Sequence, residues 1–318
     1  MIGLILIAIK QVAAFLLYRS GLLHLWIRWK FGNRALVVMY HRVLDSGTDL
    51  SQSGIVVQTN TFEKQLLQLR GMFSMVPLSD AIHHEGGGFR CAITFDDGWA
   101  DNHRFAFPVL KRLGLPATLF ITTGYIGTQR LFWPECLAYI LQRHDEQVDA
   151  LIESLKNVPE QTREDFLDQQ ARLHNRPLLP SETRMLSWDQ VRDLKKQGFD
   201  IGSHTVNHVL LNHATPELVE KELGESRDQI TTQLWEPPQS FAYPNGNWNP
   251  VLAESVRKAG YSYAVTTESP WKIPENTNPV FAIPRKNLCE GSSNGLFGFS
   301  ASIFACEAVG FFDWCRRP

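Results

Sequence analysis

The chain has 318 residues, 44% of them hydrophobic, which is enough for one large α/β domain or two smaller ones to bury a core without disulfides. A formal net charge of -2 excludes the basic surplus expected of a nucleic-acid binder. The five cysteines, Cys91, Cys136, Cys289, Cys306 and Cys315, include no C-x-x-C pair, which argues against a zinc knuckle or a disulfide framework and for a reduced compartment.

Residues 1–33 differ from the rest of the chain. No Asp or Glu precedes Asp45, and Lys10, Arg19 and Arg28 interrupt an otherwise apolar stretch. No uncharged run reaches the ~18–20 residues that a spanning helix needs. Positive side chains do not precede the apolar stretch, as a signal peptide requires, but follow it as Arg28, Lys30 and Arg34, among Tyr18, Trp26 and Trp29. The pattern predicts a helical segment lying on an anionic membrane surface, at the cytoplasmic face of the inner membrane. An uncleaved signal anchor and a helix packed on the domain surface are the competing readings.

From residue 34 the pattern alternates. Strands are expected at Ala35–Tyr40, Cys91–Phe95, Ala117–Ile121, Phe199–Gly202, Ser240–Tyr243 and Ser262–Thr266. Helices are expected at Thr61–Gly71, Asp101–Gly114, Trp188–Gly198, Pro216–Leu234 and Pro250–Gly260, with Gly114, Gly198 and Gly260 as C-caps. This order predicts an α/β fold, a parallel sheet closed or nearly closed into a (β/α) barrel over residues 34–290. Residues 127–186 are too long for an ordinary connection and read as a helical insertion beside the barrel mouth. Residues 291–318 read as an apolar C-terminal helix that docks on the barrel or on the membrane.

Three segments can carry chemistry. In Thr94-Phe95-Asp96-Asp97-Gly98 an apolar strand runs into two adjacent carboxylates, at the end of a barrel strand where side chains face the mouth. Adjacent carboxylates repel, so one of them needs a cation partner. In His204-Thr205-Val206-Asn207-His208 the spacing suits two imidazoles on one face of a helical turn. One Asp and two His give three ligands and an open position, the pattern of a catalytic zinc site, and leave the other Asp as general base. In Phe241-Ala242-Tyr243-Pro244-Asn245-Gly246 the proline and glycine fix a turn whose N–H can meet a developing oxyanion.

Together these motifs resemble the polysaccharide deacetylase family, the NodB-homology carbohydrate esterases, over roughly residues 35–290. The resemblance implies a distorted (β/α) barrel that removes N-acetyl groups from sugar residues of a polysaccharide or lipid-linked glycan with one divalent ion, zinc being expected. It assigns Asp96 as catalytic base, Asp97, His204 and His208 as metal ligands, and Asn245 as the backbone donor to the oxyanion. Two family features are missing. A late Leu-x-His motif normally supplies the general acid, yet no histidine follows His213. His41, in Met39-Tyr40-His41-Arg42-Val43 at the end of the first strand, is the candidate, and this early motif resembles an exopolysaccharide-processing branch with permuted motif order. The third motif lacks its usual arginine, and Arg285 is the candidate to hold Asp96.

Other readings are weaker. Gly291-Ser292-Ser293-Asn294-Gly295 matches G-x-S-x-G but has no later histidine. A two-carboxylate glycosidase leaves His204 and His208 without a role. An amidohydrolase acting on a non-sugar C–N bond and a catalytically inactive glycan-binding protein are the remaining alternatives. Trp99, Trp133 and Trp248 are candidates to line a sugar groove.

Overall fold

A computed structural model describes residues 2–31, 34–45, 54–83, 88–142, 145–156, 158, 160–176, 184–268 and 279–315. Two helices open the chain, α1 (Ile2–Arg19) and α2 (Leu22–Phe31). There follow β1 (Leu36–Tyr40), β2 (Arg42–Leu44), β3 (Val56–Gln58), α3 (Thr59–Met72), β4 (Ser74–Met75), α4 (Leu78–His83) and β5 (Arg90–Phe95). Next come α5 (Phe107–Leu113), β6 (Thr118–Ile121), α6 (Trp133–Leu141), α7 (Glu146–Leu155), α8 (Glu160–Leu173), α9 (Trp188–Lys196), β7 (Asp200–Ser203), α10 (Pro216–Leu234), β8 (Ser240–Ala242), α11 (Pro250–Lys258) and β9 (Tyr263–Val265). The chain closes with β10 (Lys286–Asn287), the hairpin β11 (Asn294–Gly295) and β12 (Gly298–Phe299), then α12 (Ala301–Ala308) and α13 (Phe311–Cys315).

The main sheet runs β10-β1-β5-β6-β7-β8-β9, with β4 beside β5 and every pairing parallel. Its two ends meet through one segment. Ile283 pairs with Val265 of β9, and three residues later Lys286 pairs with Val38 of β1. The sheet is thus a curled (β/α) barrel whose seam is residues 283–287.

Side chains alternate across the sheet, as a strand dictates. Leu36, Val38 and Tyr40 of β1 join Cys91, Ile93 and Phe95 of β5 in the core under the helices, whereas Val37, Ala92, Phe120, Ala242 and Val265 fill the lumen. Continuing this alternation past the strand ends puts His41, Asp96 and His204 on the lumen side at the carboxyl ends of β1, β5 and β7. Gly114, Gly198 and Gly260 all take positive φ where their helices end. The helix expected over Asp101–Gly114 begins with a π-helical turn, Asn102–Ala106, before α5.

The inserted helices α6, α7 and α8 carry a small core of their own, in which Leu137, Ile140, Val148 and Leu167 pack with Trp99 and Tyr125. Part of the expected insertion, 177–183, lies outside the described residues. The C-terminal stretch is not one helix. Ser300, whose hydroxyl accepts the Ile303 N–H, starts α12 after the hairpin, and Gly310 at positive φ separates α12 from α13. α12 is buried in the main core, so it docks on the barrel. α1 lies against it, with Lys10 Nζ 2.6 Å from Glu307 Oε1, and Lys30 Nζ of α2 donates to the Val309 carbonyl at the end of α12 at 2.8 Å.

Candidate active site

Asp97 leaves β5 in a left-handed conformation, φ 78, which costs a non-glycine residue of order 1–3 kcal/mol and persists where surrounding contacts enforce it. Here those contacts are a Trp99 indole N–H donating to Asp97 Oδ2 at 2.9 Å and a Thr122 N–H donating to the Asp97 carbonyl at 3.2 Å. Gly98 follows at φ 90, and a Cβ there would press on Ile126. Asp97 is thereby turned away from its neighbour Asp96.

The two histidines are not on a helical turn, contrary to the expectation from their spacing. Residues 204–208 form an irregular bend with Thr205 at φ 67 and His208 at φ 58. The buried carboxylate of Glu222 on α10 accepts the N–H groups of Val206 (2.8 Å) and Asn207 (2.9 Å), and Thr205 Oγ1 accepts the His208 N–H at 2.9 Å. These bonds satisfy the backbone that a helix would otherwise satisfy. His208 packs edge-on against Phe132, 4.9 Å between centroids.

The structure brings Asp97, His204 and His208 together, one ligand atom from each lying within 4.8 Å of the others. His204 Nδ1 lies 2.8 Å from the Ala242 carbonyl, which fixes the proton on Nδ1 and leaves the Nε2 lone pair free. Burial pushes both imidazoles down to about 4, so both are neutral near pH 7. Their Nε2 atoms lie 3.6 and 3.7 Å from Asp97 Oδ1. That is too long for hydrogen bonds, yet ligand atoms about 2 Å from one tetrahedral ion sit about 3.4 Å apart. Neutral imidazoles around a carboxylate, with no hydrogen bond between them, fit a divalent cation.

Asp96 is held by a different partner. Arg285, 1% exposed, donates from Nη1 to Oδ1 at 2.7 Å and from Nη2 to Oδ2 at 2.6 Å, and is itself held by the Thr266 carbonyl (3.0 Å) and Thr94 Oγ1 (3.1 Å). Its position on the barrel seam points it into the lumen beside Phe120. Burial is the largest single influence on the Asp96 carboxyl and pushes it up. The charges of Arg285, His204 and His41, with the hydrogen bonds from Arg285, override burial and hold it down at about 2.

His41 sits between β1 and β2, close enough for its charge to bear on both Asp96 and His208. Its Nδ1 is buried without a hydrogen-bond partner among the described residues. His213, the last histidine in the chain, is exposed on a short 3₁₀ turn beside Asn212. Asn245 has φ 56, and its turn is closed by the N–H groups of Gly246 and Asn247; no acceptor among the described residues takes the Asn245 N–H. Gly246 is required because Thr267, which donates to the Asn245 carbonyl at 3.0 Å, occupies the place of a Cβ.

A cleft of about 890 Å³ opens beside His208 and Asn245 and runs along the inserted helices. Trp133 lines it. Trp99 does not, being wholly buried beneath Asp97, and Trp248 packs with the core under α11 instead. The G-x-S-x-G match begins in a 3₁₀ turn and ends in β11, and its buried Ser293 hydroxyl accepts from Gln65 at 3.1 Å. Trp99, Phe132 and Glu222 are positioning residues that sequence reasoning missed in this role. Only Trp99, two residues after Asp97, carried a local signal.

The model of the polysaccharide deacetylase family matches residues 84–264. That span contains Asp96, Asp97, His204, His208 and Asn245 and leaves His41 and Arg285 outside. The chain is 24% identical over 279 residues to YxkH of Bacillus subtilis (strain 168), whose name places it among polysaccharide deacetylases; the match covers 86% of this chain and 78% of that protein. It is 22% identical over 277 residues to the poly-β-1,6-N-acetyl-D-glucosamine N-deacetylase of Staphylococcus aureus (strain MSSA476), covering 80% of this chain and 78% of the relative. Among solved structures, IcaB from Ammonifex degensii superposes with a TM-score of 0.59 at 20% identity, over 87% of this chain and 98% of that one.

Proposed function

Because this chain belongs to the polysaccharide deacetylase family, we propose that it hydrolyses N-acetyl groups from sugar residues of a polysaccharide or lipid-linked glycan, using one divalent cation held by Asp97, His204 and His208. The observation that carries this reading is the convergence of those three ligands beside a second carboxylate, Asp96, that is clamped and ionised. Two imidazoles and one carboxylate suit zinc. When bound, the cation supplies Lewis acidity, which polarises the acetamide carbonyl and makes water more acidic.

The residues of the chain do the rest. Asp96 takes the proton of the attacking water; each of its oxygens keeps an acceptor site beyond the one that Arg285 fills. The Asn245 N–H is the donor offered to the carbonyl oxygen as negative charge develops. An amide anion is too poor a leaving group, so the sugar nitrogen must be protonated as the C–N bond breaks, and His41 supplies that proton. Asp96→Asn is expected to keep the ion and to lose about 10²–10⁴-fold in turnover. An unchanged rate of acetate release would remove Asp96 from the mechanism.

We place the protein on a membrane surface, at the cytoplasmic face of the inner membrane. Among the described residues no single helix is long and apolar enough to cross, although α1 and α2, bent by 79°, pass that test as a pair. Support comes from a stripe on α1, Ile5, Ile9, Val12 and Leu16, each more than half exposed at helical spacing. Exposed Trp29 and the exposed cations Arg19, Arg28 and Arg34 lie nearby in the chain, as an interfacial helix on anionic lipid requires. Ile9→Asp with Leu16→Asp leaves the docked face of α1 intact and is expected to weaken partitioning onto anionic vesicles at least ~10-fold. Undiminished partitioning of that variant would rule out α1 as the contact.

A further inference from the structure

The cleft wall formed by the insertion carries two arginines that the proposed reaction does not use. The Arg130 guanidinium lies 4.4 Å over the Tyr125 ring, and its Nη1 donates to Asn207 Oδ1 at 3.1 Å. Asn207 immediately precedes the ligand His208, and its side-chain amide donates to the buried Glu222 at 2.8 Å. Arg130 is therefore tied to the loop that positions the metal ligands. Further along the same wall, Arg163 of α8 lies 5.0 Å over the ring of Trp133.

Neither arginine pairs with a carboxylate among the described residues. Glu164 and Asp168 share the wall but do not reach them, and the neighbouring Lys156 is taken by Glu153 at 2.5 Å. An exposed arginine usually spends its charge on an acid or swings in solvent. These two lie over aromatic rings, and among the described residues Arg130 spends only Nη1, on the Asn207 amide oxygen and the Gly124 carbonyl. A planar, weakly hydrated fork of that kind matches carboxylate or phosphate oxygens. The chain as a whole is slightly acidic, so these cations are not part of a general basic surplus.

We propose that the cleft takes a glycan bearing an oxyanion, a uronate carboxylate or a phosphate, on a sugar near the one being deacetylated, with Arg130 and Arg163 as its binding groups. The proposal rests on the deacetylase reading and adds the charge of the substrate.

The test uses the full-length, zinc-loaded protein and three N-acetylhexosamine oligomers of equal length: one neutral, one containing uronic acid, one carrying a glycosyl phosphate. At low ionic strength, kcat/KM for acetate release from at least one anionic oligomer should exceed the neutral value by about 10-fold or more, chiefly through KM. The advantage should shrink with added salt. In Arg130→Gln with Arg163→Gln, the anionic-to-neutral ratio should fall close to one. The preferred arm identifies carboxylate or phosphate as the source. Equal use of neutral and anionic oligomers by the wild type, or a ratio that survives the double substitution, overturns the proposal. Direct binding of the same oligomers separates this failure from failure of the deacetylase reading. If no acetate is released from any oligomer, tighter, salt-sensitive and arginine-dependent binding of an anionic one still supports the subsite, and equal binding overturns it.

Discussion

Arg285→Ala is expected to destabilise the metal-free protein by about 3–5 kcal/mol, the cost of leaving a buried carboxylate without its cation. Asp96 is 2% exposed, and both of its oxygens are held by that one guanidinium. Against burial, the guanidinium holds the Asp96 carboxyl at about 2, below the ordinary 3.8 of an aspartate. The stabilisation from the pair is therefore complete above about pH 4 and is lost as pH falls toward 2. Without Arg285, burial has only the histidines against it and the Asp96 pKa rises. Lowering the pH then protonates Asp96 in the folded variant and relieves the penalty. The gap in unfolding free energy between wild type and variant should thus be widest near pH 7 and narrower near pH 4. Arg285→Lys, which keeps the charge but not the two-pronged geometry, should fall between them. Denaturant titrations at both pH values check this; a loss below ~1 kcal/mol at pH 7 would mean that the pair is not the constraint its geometry implies.

His41→Ala is expected to keep the ion and the fold yet slow acetate release by about 10²–10⁴-fold. His41 is on the lumen side at the end of β1, electrostatically coupled to Asp96 and His208, and its buried Nδ1 has no partner among the described residues. His204 and His208 are the proposed ligands of the ion. His213 is exposed and bonded to its neighbour Asn212. The substitution should also flatten the alkaline side of the pH–rate profile, where a general acid gives up its proton. Near-normal turnover in His41→Ala together with a collapse in His213→Ala would transfer the role to His213.

The long strands could be read from the sequence because each is a short apolar run ending at a motif: Cys91–Phe95 before Asp96, Phe199–Gly202 before His204. β2, β3, β4 and β10, of two or three residues each, are too short to show a period. The helices flanking the barrel announced their ends through Gly114, Gly198 and Gly260. The three-ligand cluster followed from motif order and strand ends, but its local geometry did not. Four-residue spacing suggested a helical turn, whereas Glu222, fourteen residues past His208 in sequence, holds the 204–208 bend by accepting two of its N–H groups. Nothing local in Glu222 or Phe132 signals such contacts, because both are made by chain folding back from elsewhere. The Arg285–Asp96 contact spans 189 residues and was suggested only by the family resemblance, whose usual arginine is missing from the third motif.

Metal content measured alongside acetate release tests the central claim most directly. The purified full chain should carry about one tightly bound divalent ion. It should release acetate from N-acetylglucosamine oligomers, lose that activity to a chelator and regain it with zinc. Asp97→Ala, His204→Ala and His208→Ala should each remain folded by circular dichroism while losing both the ion and the activity. Full metal occupancy and undiminished acetate release in all three variants would contradict the assignment of Asp97, His204 and His208 as the catalytic metal centre.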